Sequence, residues 1–362
     1  MKYLFILGRN PELSVEEVKS YLERKGNVLN NSSLEENGFL VDVSKQLESN
    51  AIDKLGGVVA IGEVLCDIDK MDDEMIYYGN ENNFNYVLWD YSKKTSKVSE
   101  YLKKRFRSEK LKATEKNLTG FIQLQDGKKV KTLNSNLVKE QYFVFDNFFG
   151  RIFEFCDYES IEKRDIEKPV RREELAISPR LAKIMINLSQ VKEQGKLADA
   201  FCGIGVVLQE ALLQGIKVVG IDRDKDAIHG SKKNLEWFKF SKDNYKLINF
   251  DSRRVKIPNV DVMVSEPDLG ETLKKIPTKE KAQKQLEGFE DLMIKVLNNM
   301  KKYVSKRFVF TAPLIRIGKK RLGCNSDSIL ESTGLKLEKG FPIKEFRENQ
   351  IVGREIFVLK YK

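Results

Sequence analysis

The segment Asp199-Ala200-Phe201-Cys202-Gly203-Ile204-Gly205 constrains this 362-residue chain more tightly than any other. It closes a short apolar run over 196–201 and leads into an apolar stretch over 206–213, so strand, glycine loop and helix follow in succession. Glycines at such a junction let the backbone approach a ligand with no Cβ in the way, and the helix start offers N–H groups that have no intrahelical partner. A dinucleotide fingerprint of the form G-x-G-x-x-G would place its third glycine at 208, where the chain has Leu208. The loop therefore disfavours a pyrophosphate.

An acid at the strand end, ahead of the glycines, suits a ligand with a cationic amino acid end and no phosphate, and S-adenosylmethionine has that end. The next expected strand, 218–222, finishes in Asp222, 23 residues after Asp199. A carboxylate at that strand tip can accept hydrogen bonds from both ribose hydroxyls. A third expected strand, 246–250, is followed by Asp251, which could accept from an adenine amine. Each acid alone would be an ordinary helix cap. At three successive strand tips, Asp199, Asp222 and Asp251 with Phe201, Gly203 and Gly205 read as one cofactor edge, since open α/β sheets bind ligands at the carboxyl ends of their strands.

Three regions separate along the chain. Over 1–80 the pattern reads strand (3–7), helix (14–25, with Ser14 and Glu17 as a capping box), strand (38–43), helix (46–55, stopped by Gly56-Gly57) and strand (58–64). From 84 to about 160 a strand (86–89) and a basic helix (96–108) precede short strands at 119–124, 130–133, 142–146 and 151–158. Tyr142, Phe143, Phe145, Phe148, Phe149, Phe153 and Phe155 crowd the last two, as a sheet core does rather than a base-stacking platform. A charged stretch with Pro169 reads as a linker, and from 178 helices alternate with buried strands at 260–264 and 307–311, followed by apolar segments near 336–341 and 355–360. That alternation implies βαβ units on a parallel sheet.

Charge is localised. The chain carries +10, and residues 92–140 hold 14 Lys and Arg against 5 Asp and Glu, a net of +9. Such a patch is the footprint of a polyanion binder, because lysines at phosphates release condensed counterions. Lys93, Lys94, Lys97, Lys103, Lys104, Arg105, Arg107, Lys110 and Lys112 are the candidate RNA contacts; a solvated helix face is the plainer alternative. Four scattered cysteines, Cys66, Cys156, Cys202 and Cys324, form no C-x-x-C pair, and His229 stands alone, which argues against a metal site or a disulfide framework. Free thiols and an N-terminal apolar run too short for a signal peptide predict a cytoplasmic protein.

With these residues in hand, the whole chain resembles the THUMP-domain tRNA guanine-N2 methyltransferases that modify position 10 of tRNA. Residues 1–14 look like the start of that family's N-terminal ferredoxin-like domain, 85–158 are similar to its THUMP domain, and 177–188 look like the helix before its glycine loop. The resemblance implies an α/β class: a Rossmann-like class I methyltransferase domain at 178–362, behind α+β ferredoxin-like (1–83) and THUMP (84–163) domains and a linker at 164–177. It also implies S-adenosyl-L-methionine as cofactor, tRNA as partner through the THUMP domain, and, as in some relatives, a small activator subunit.

Amino-methylating enzymes of this type place Asp/Asn/Ser-Pro-Pro-aromatic at the fourth strand tip, where the first side chain accepts hydrogens from the target amine and the aromatic ring stacks on the base. The aligned segment here is Ser265-Glu266-Pro267-Asp268-Leu269-Gly270, with Glu266 in place of the first proline and Asp268 in place of the aromatic residue. By the resemblance Ser265, Glu266, Pro267 and Asp268 are the catalytic candidates, with Ser265 in the acceptor position and Glu266 competing in a shifted alignment. Methylation of another RNA or of DNA, and a noncatalytic RNA-binding paralogue with a degenerate loop, are the alternative functions.

Overall fold

The computed structural model describes residues 1–133, 138, 140–172, 177–270 and 273–362. In chain order the elements are β1 (Lys2–Leu7), α1 (Pro11–Arg24), β2 (Leu29–Glu35), β3 (Gly38–Val43), β4 (Val58–Asp67), β5 (Asn83–Tyr91), α2 (Thr95–Ser108) and β6 (Lys112–Lys116). Next come β7 (Gly120–Gln123), β8 (Lys129–Thr132), β9 (Glu140–Phe145), β10 (Phe148–Phe155), α3 (Tyr158–Glu167) and α4 (Pro179–Leu188). Then follow β11 (Lys196–Asp199), α5 (Val206–Leu213), β12 (Lys217–Asp222), α6 (Lys225–Trp237), β13 (Tyr245–Asn249), β14 (Val260–Ser265) and α7 (Lys279–Met300). The chain closes with β15 (Val304–Ile317), β16 (Lys320–Leu322), α8 (Ser326–Thr333), β17 (Lys336–Leu337), β18 (Ile343–Glu345) and β19 (Val352–Lys360). No helix among the described residues is long and apolar enough to cross a membrane.

Two compact units emerge, one of residues 1–15, 26–53 and 57–157, the other of 16–25, 54–56 and 158–362. The first is built on one eight-stranded sheet in the order β2-β3-β1-β4-β10-β9-β5-β6. The expected boundary at 83/84 falls inside this sheet, because β4 from one side of it pairs with β10 from the other. Period-two alternation along β9 sends Tyr142 and Val144 to one face, with Val98, Leu102 and Phe106 of α2, and Phe143 and Phe145 to the other, with Leu4, Trp89 and Ile152. The aromatic run is therefore sheet core at Tyr142, Phe143, Phe145 and Phe149, whereas Phe153 and Phe155 are exposed.

Several local expectations change. The α1 helix starts at Pro11, whose fixed φ suits a first turn, and is capped by the Asn10 side chain accepting from the Leu13 amide at 3.2 Å, not by Ser14. In the second unit Glu17 instead accepts from the buried Gly56 amide at 2.7 Å. The helix expected over 46–55 is a single 3-10 turn, Ala51–Lys54. The expected linker begins inside α3, which runs to Glu167, and its residues 173–176 lie outside the described set. The strands β2 and β6, unseen in the sequence pattern, occupy the two edges of the first sheet.

The second unit carries a sheet in the order β13-β12-β11-β14-β15-β19-β17. Strands β11 to β15 run parallel and β19 is antiparallel to β15. The order reverses at β11 and β14, which opens a crevice at their carboxyl ends. Met293, Val296 and Met300 of α7 pack with Phe308, Phe310 and Phe357 in the core beneath it.

Candidate active site

The glycine loop leaves β11 at its carboxyl end. Gly203 and Gly205 have φ of 51° and 89°, in the left-handed region, and a Cβ on Gly205 would meet the Ser231 hydroxyl at 2.5 Å. Nothing lies within 4 Å of a Cβ built on Gly203, so there the loop faces open space. With Asp199, Phe201, Cys202, Val206 and Glu266, the two residues Gly203 and Ile204 line a cleft at the tips of β11 and β14.

Asp199 is 1% exposed, and its Oδ1 accepts from the Phe201 amide at 3.1 Å. Burial pushes its carboxyl up to about 7, against the pull of hydrogen bonds from Phe201 and from the Ser265 hydroxyl. A buried acid in this state is completed by a cation, and the amino group of S-adenosylmethionine is one. Asp222 orders the loop: its Oδ2 accepts from the Gly203 amide at 2.9 Å and its Oδ1 from the Asp224 amide at 2.9 Å. These residues fit the group, which would find an acid at each of two adjacent strand tips.

Asp251 is placed differently. Arg253, two residues on, binds both of its oxygens, with Nε 3.0 Å from each, and this pairing holds the carboxyl down at about 2. Its side chain lines a separate surface hollow with Arg254, Lys295 and Lys302. The structure thus brings Asp199, Phe201, Gly203, Gly205 and Asp222 together and leaves Asp251 beside them, already partnered.

At the fourth strand tip the four aligned residues divide. Ser265 is fully buried, and its hydroxyl accepts from the Ala200 amide at 2.7 Å while donating to Asp199. Pro267 is buried, and Asp268 is exposed, accepting from the Gly270 amide at 3.0 Å to close its own turn. Of the four, only Glu266 lines the cleft. Its side chain is 9% exposed, Oε1 accepts from the Arg354 Nε at 2.5 Å, and Oε2 is buried with no hydrogen-bond partner. Burial raises the Glu266 carboxyl and Arg354 opposes the rise. Nothing in the sequence pairs these two residues, 88 positions apart; the one clue is that an acid in place of a loop proline requires a cation.

The basic patch lies in the first unit. Val98, Leu102 and Phe106 bury one face of α2, and Lys93, Lys94, Lys97, Lys103, Lys104, Arg107, Lys110 and Lys112 are exposed. Lys94 donates to Asn147 Oδ1 at 2.7 Å and Lys103 pairs with Glu115 at 3.0 Å. Arg105 is turned inward: it pairs with Glu109 at 2.5 Å and donates to the carbonyls of Met71, Asp72 and Glu74. Residues 134–137 and 139 of the basic window lie outside the described set. His229 is exposed on α6, and the four cysteines are free thiols.

Residues 169–307 match a family model described as the RMKL-like methyltransferase domain. A tRNA (guanine(10)-N2)-dimethyltransferase of Pyrococcus abyssi is 31% identical over 241 residues, covering 66% of this chain and 68% of the relative. Enzymes of the same name match from Methanothermobacter thermautotrophicus (38% identical over 96 residues, 26% of this chain and 28% of the relative) and Methanocaldococcus jannaschii (31% over 167 residues, 43% and 47%). The chain thus spans less than half the length of these last two. A crystal structure of TrmN from Thermus thermophilus shares the fold over the full length of both chains, with a TM-score of 0.50 at 12% identity. The second unit is accordingly a Rossmann-like methyltransferase domain, with S-adenosyl-L-methionine as its methyl donor. By the two-thirds of the Pyrococcus abyssi enzyme that it covers, the chain belongs to the family of the tRNA (guanine(10)-N2)-dimethyltransferases.

Proposed function

We propose that this protein transfers methyl groups from S-adenosyl-L-methionine to N2 of a guanine in tRNA, at position 10, in the cytoplasm. The observation that carries the reading is the strand-tip cleft, where the buried Asp199 and the unpartnered Glu266 oxygen flank the glycine loop of a methyltransferase sheet. Asp199 and Phe201 would hold the amino acid end of the cofactor, Gly203 and Gly205 would admit it, and Asp222 would take its ribose. The sulfonium already activates the methyl group, so the chain's task is to place the amine in line with it.

The first unit, which holds the regions similar to the family's ferredoxin-like and THUMP domains on one sheet, would bring tRNA to the site through the lysines of α2. Purified protein incubated with S-adenosyl-L-methionine and total tRNA, with rRNA and duplex DNA alongside and any copurifying small subunit restored, tests the reading. Mass spectrometry of the nucleosides should find N2-methylguanosine, or its dimethylated form, in tRNA alone. Methyl groups in rRNA or DNA would move the substrate, and cofactor binding without transfer to any nucleic acid would favour a noncatalytic RNA-binding paralogue.

A further inference from the structure

We infer that Glu266 is the catalytic residue that takes the hydrogen of the target amine, and that Arg354 is the positioning residue that holds it there. The inference rests on the methyl-transfer reading above and names the machinery at its centre.

The sheet register brings the two residues together. Ser265 of β14 pairs with Phe310 of β15, Phe310 pairs with Phe357 of β19, and Arg354 pairs with Pro313, three residues beyond Phe310. Arg354 therefore lies past the carboxyl end of β14, and its long side chain reaches across β15 to Glu266. The guanidinium holds Oε1 at 2.5 Å and leaves Oε2 as the unpartnered buried atom beside the loop of Asp199 and Gly203. The other candidates at this tip are committed: Ser265 has the Ala200 amide and Asp199, and Asp268 has its own turn.

The step balances with these groups. Guanine N2 uses its lone pair to form the N–CH3 bond, the C–S bond breaks with its electron pair left on sulfur as a thioether, and one N2 proton passes to Glu266 Oε2 and on to solvent. A carboxylate with one oxygen fixed by Arg354 and the other buried without a partner is oriented for that transfer.

The test separates positioning from fold support. In Arg354→Met a buried carboxylate loses its cation, so both Tm and turnover should fall. In the double variant Glu266→Gln/Arg354→Met no buried charge is left unpaired, so Tm should return toward wild type while kcat on total tRNA stays down by about 100-fold, with KM for tRNA unchanged. Calorimetry of the double variant should give a Kd for S-adenosyl-L-methionine within about twofold of wild type, whereas Ser265→Ala, which strips a donor from Asp199, should weaken it. Recovery of kcat together with Tm would reduce the pair to fold support and overturn the inference. Loss of cofactor affinity in the double variant would overturn it as well, by assigning Glu266 to the cofactor. A wild type that binds S-adenosyl-L-methionine and methylates no tRNA would bring down the function reading and the inference with it, a result distinct from either of those.

Discussion

Ser265 and Asp199 stand at the tips of adjacent parallel strands, and the Ser265 hydroxyl donates to the Asp199 carboxylate while accepting the Ala200 amide at 2.7 Å. A serine aligned by sequence with the amine acceptor thus supports the acid proposed to meet the cofactor. The bond lowers the cost of keeping Asp199 ionised, although burial still leaves its carboxyl at about 7.

That value gives a stability test with a definite sign. The folded state binds a proton on Asp199 that the unfolded chain has already released above the ordinary carboxylate range. Stability of the ligand-free protein should therefore fall as pH rises from the carboxylate range toward about 7, and stay reduced above it. Asp199→Asn has no such proton to lose, so thermal unfolding from roughly pH 5 to 8 should show it gaining on wild type as pH rises. The same variant should bind S-adenosyl-L-methionine about 10- to 100-fold more weakly, since a charge-assisted bond is worth about 1.5–3 kcal/mol. Parallel unfolding curves across that range would refute the burial argument.

Asp222→Ala should weaken cofactor binding by about 10-fold or more, because the ribose hydroxyls would lose the carboxylate proposed to accept from them. Here the carboxylate also ties down the Gly203 and Asp224 amides, so some of the loss should appear as faster hydrogen exchange at Gly203. Calorimetry and exchange measured together separate the two contributions, and unchanged affinity would remove this strand tip from the site.

On the full chain, neutralising Lys97, Lys104 and Arg107 to Gln should weaken tRNA binding and lower the slope of log affinity against log salt by about 2 to 3, the signature of three lost phosphate contacts. Arg105→Gln should behave differently. Its guanidinium caps the carbonyls of Met71, Asp72 and Glu74, so the variant should lose about 1–3 kcal/mol of stability and leave the salt slope of the folded protein nearly unchanged. An equal loss of slope in the two variants would place Arg105 among the RNA contacts after all.

Residues that act through their immediate neighbours were legible in sequence. The Asp199-to-Gly205 junction needs only a strand, two left-handed glycines and a helix start, and the structure builds it over the expected stretch, with α5 at Val206–Leu213. The alternation after 178 likewise identifies a parallel sheet, since buried strands and their helices announce themselves by apolar runs. Among the strands that escaped notice, β2 and β6 are the edges of the first sheet; β2 is exposed along six of its seven residues, and β6 alternates exposed with half-buried positions. Edge strands bury too little to leave a hydrophobic pattern, and charged edges discourage pairing with other chains.

Tertiary structure decided what depends on register and burial. Ser265 and Glu266 are neighbours in sequence, yet one faces Asp199 and the other faces Arg354, 88 residues away, because an antiparallel strand returns along β15. Arg105 resembles the lysines around it until its fold neighbours supply three carbonyls. The sequence determined which chemistry lies at each strand tip, since that is set by local backbone geometry and residue type. Which of those groups is free to act depends on the partners that folding brings to it, and those come from distant parts of the chain.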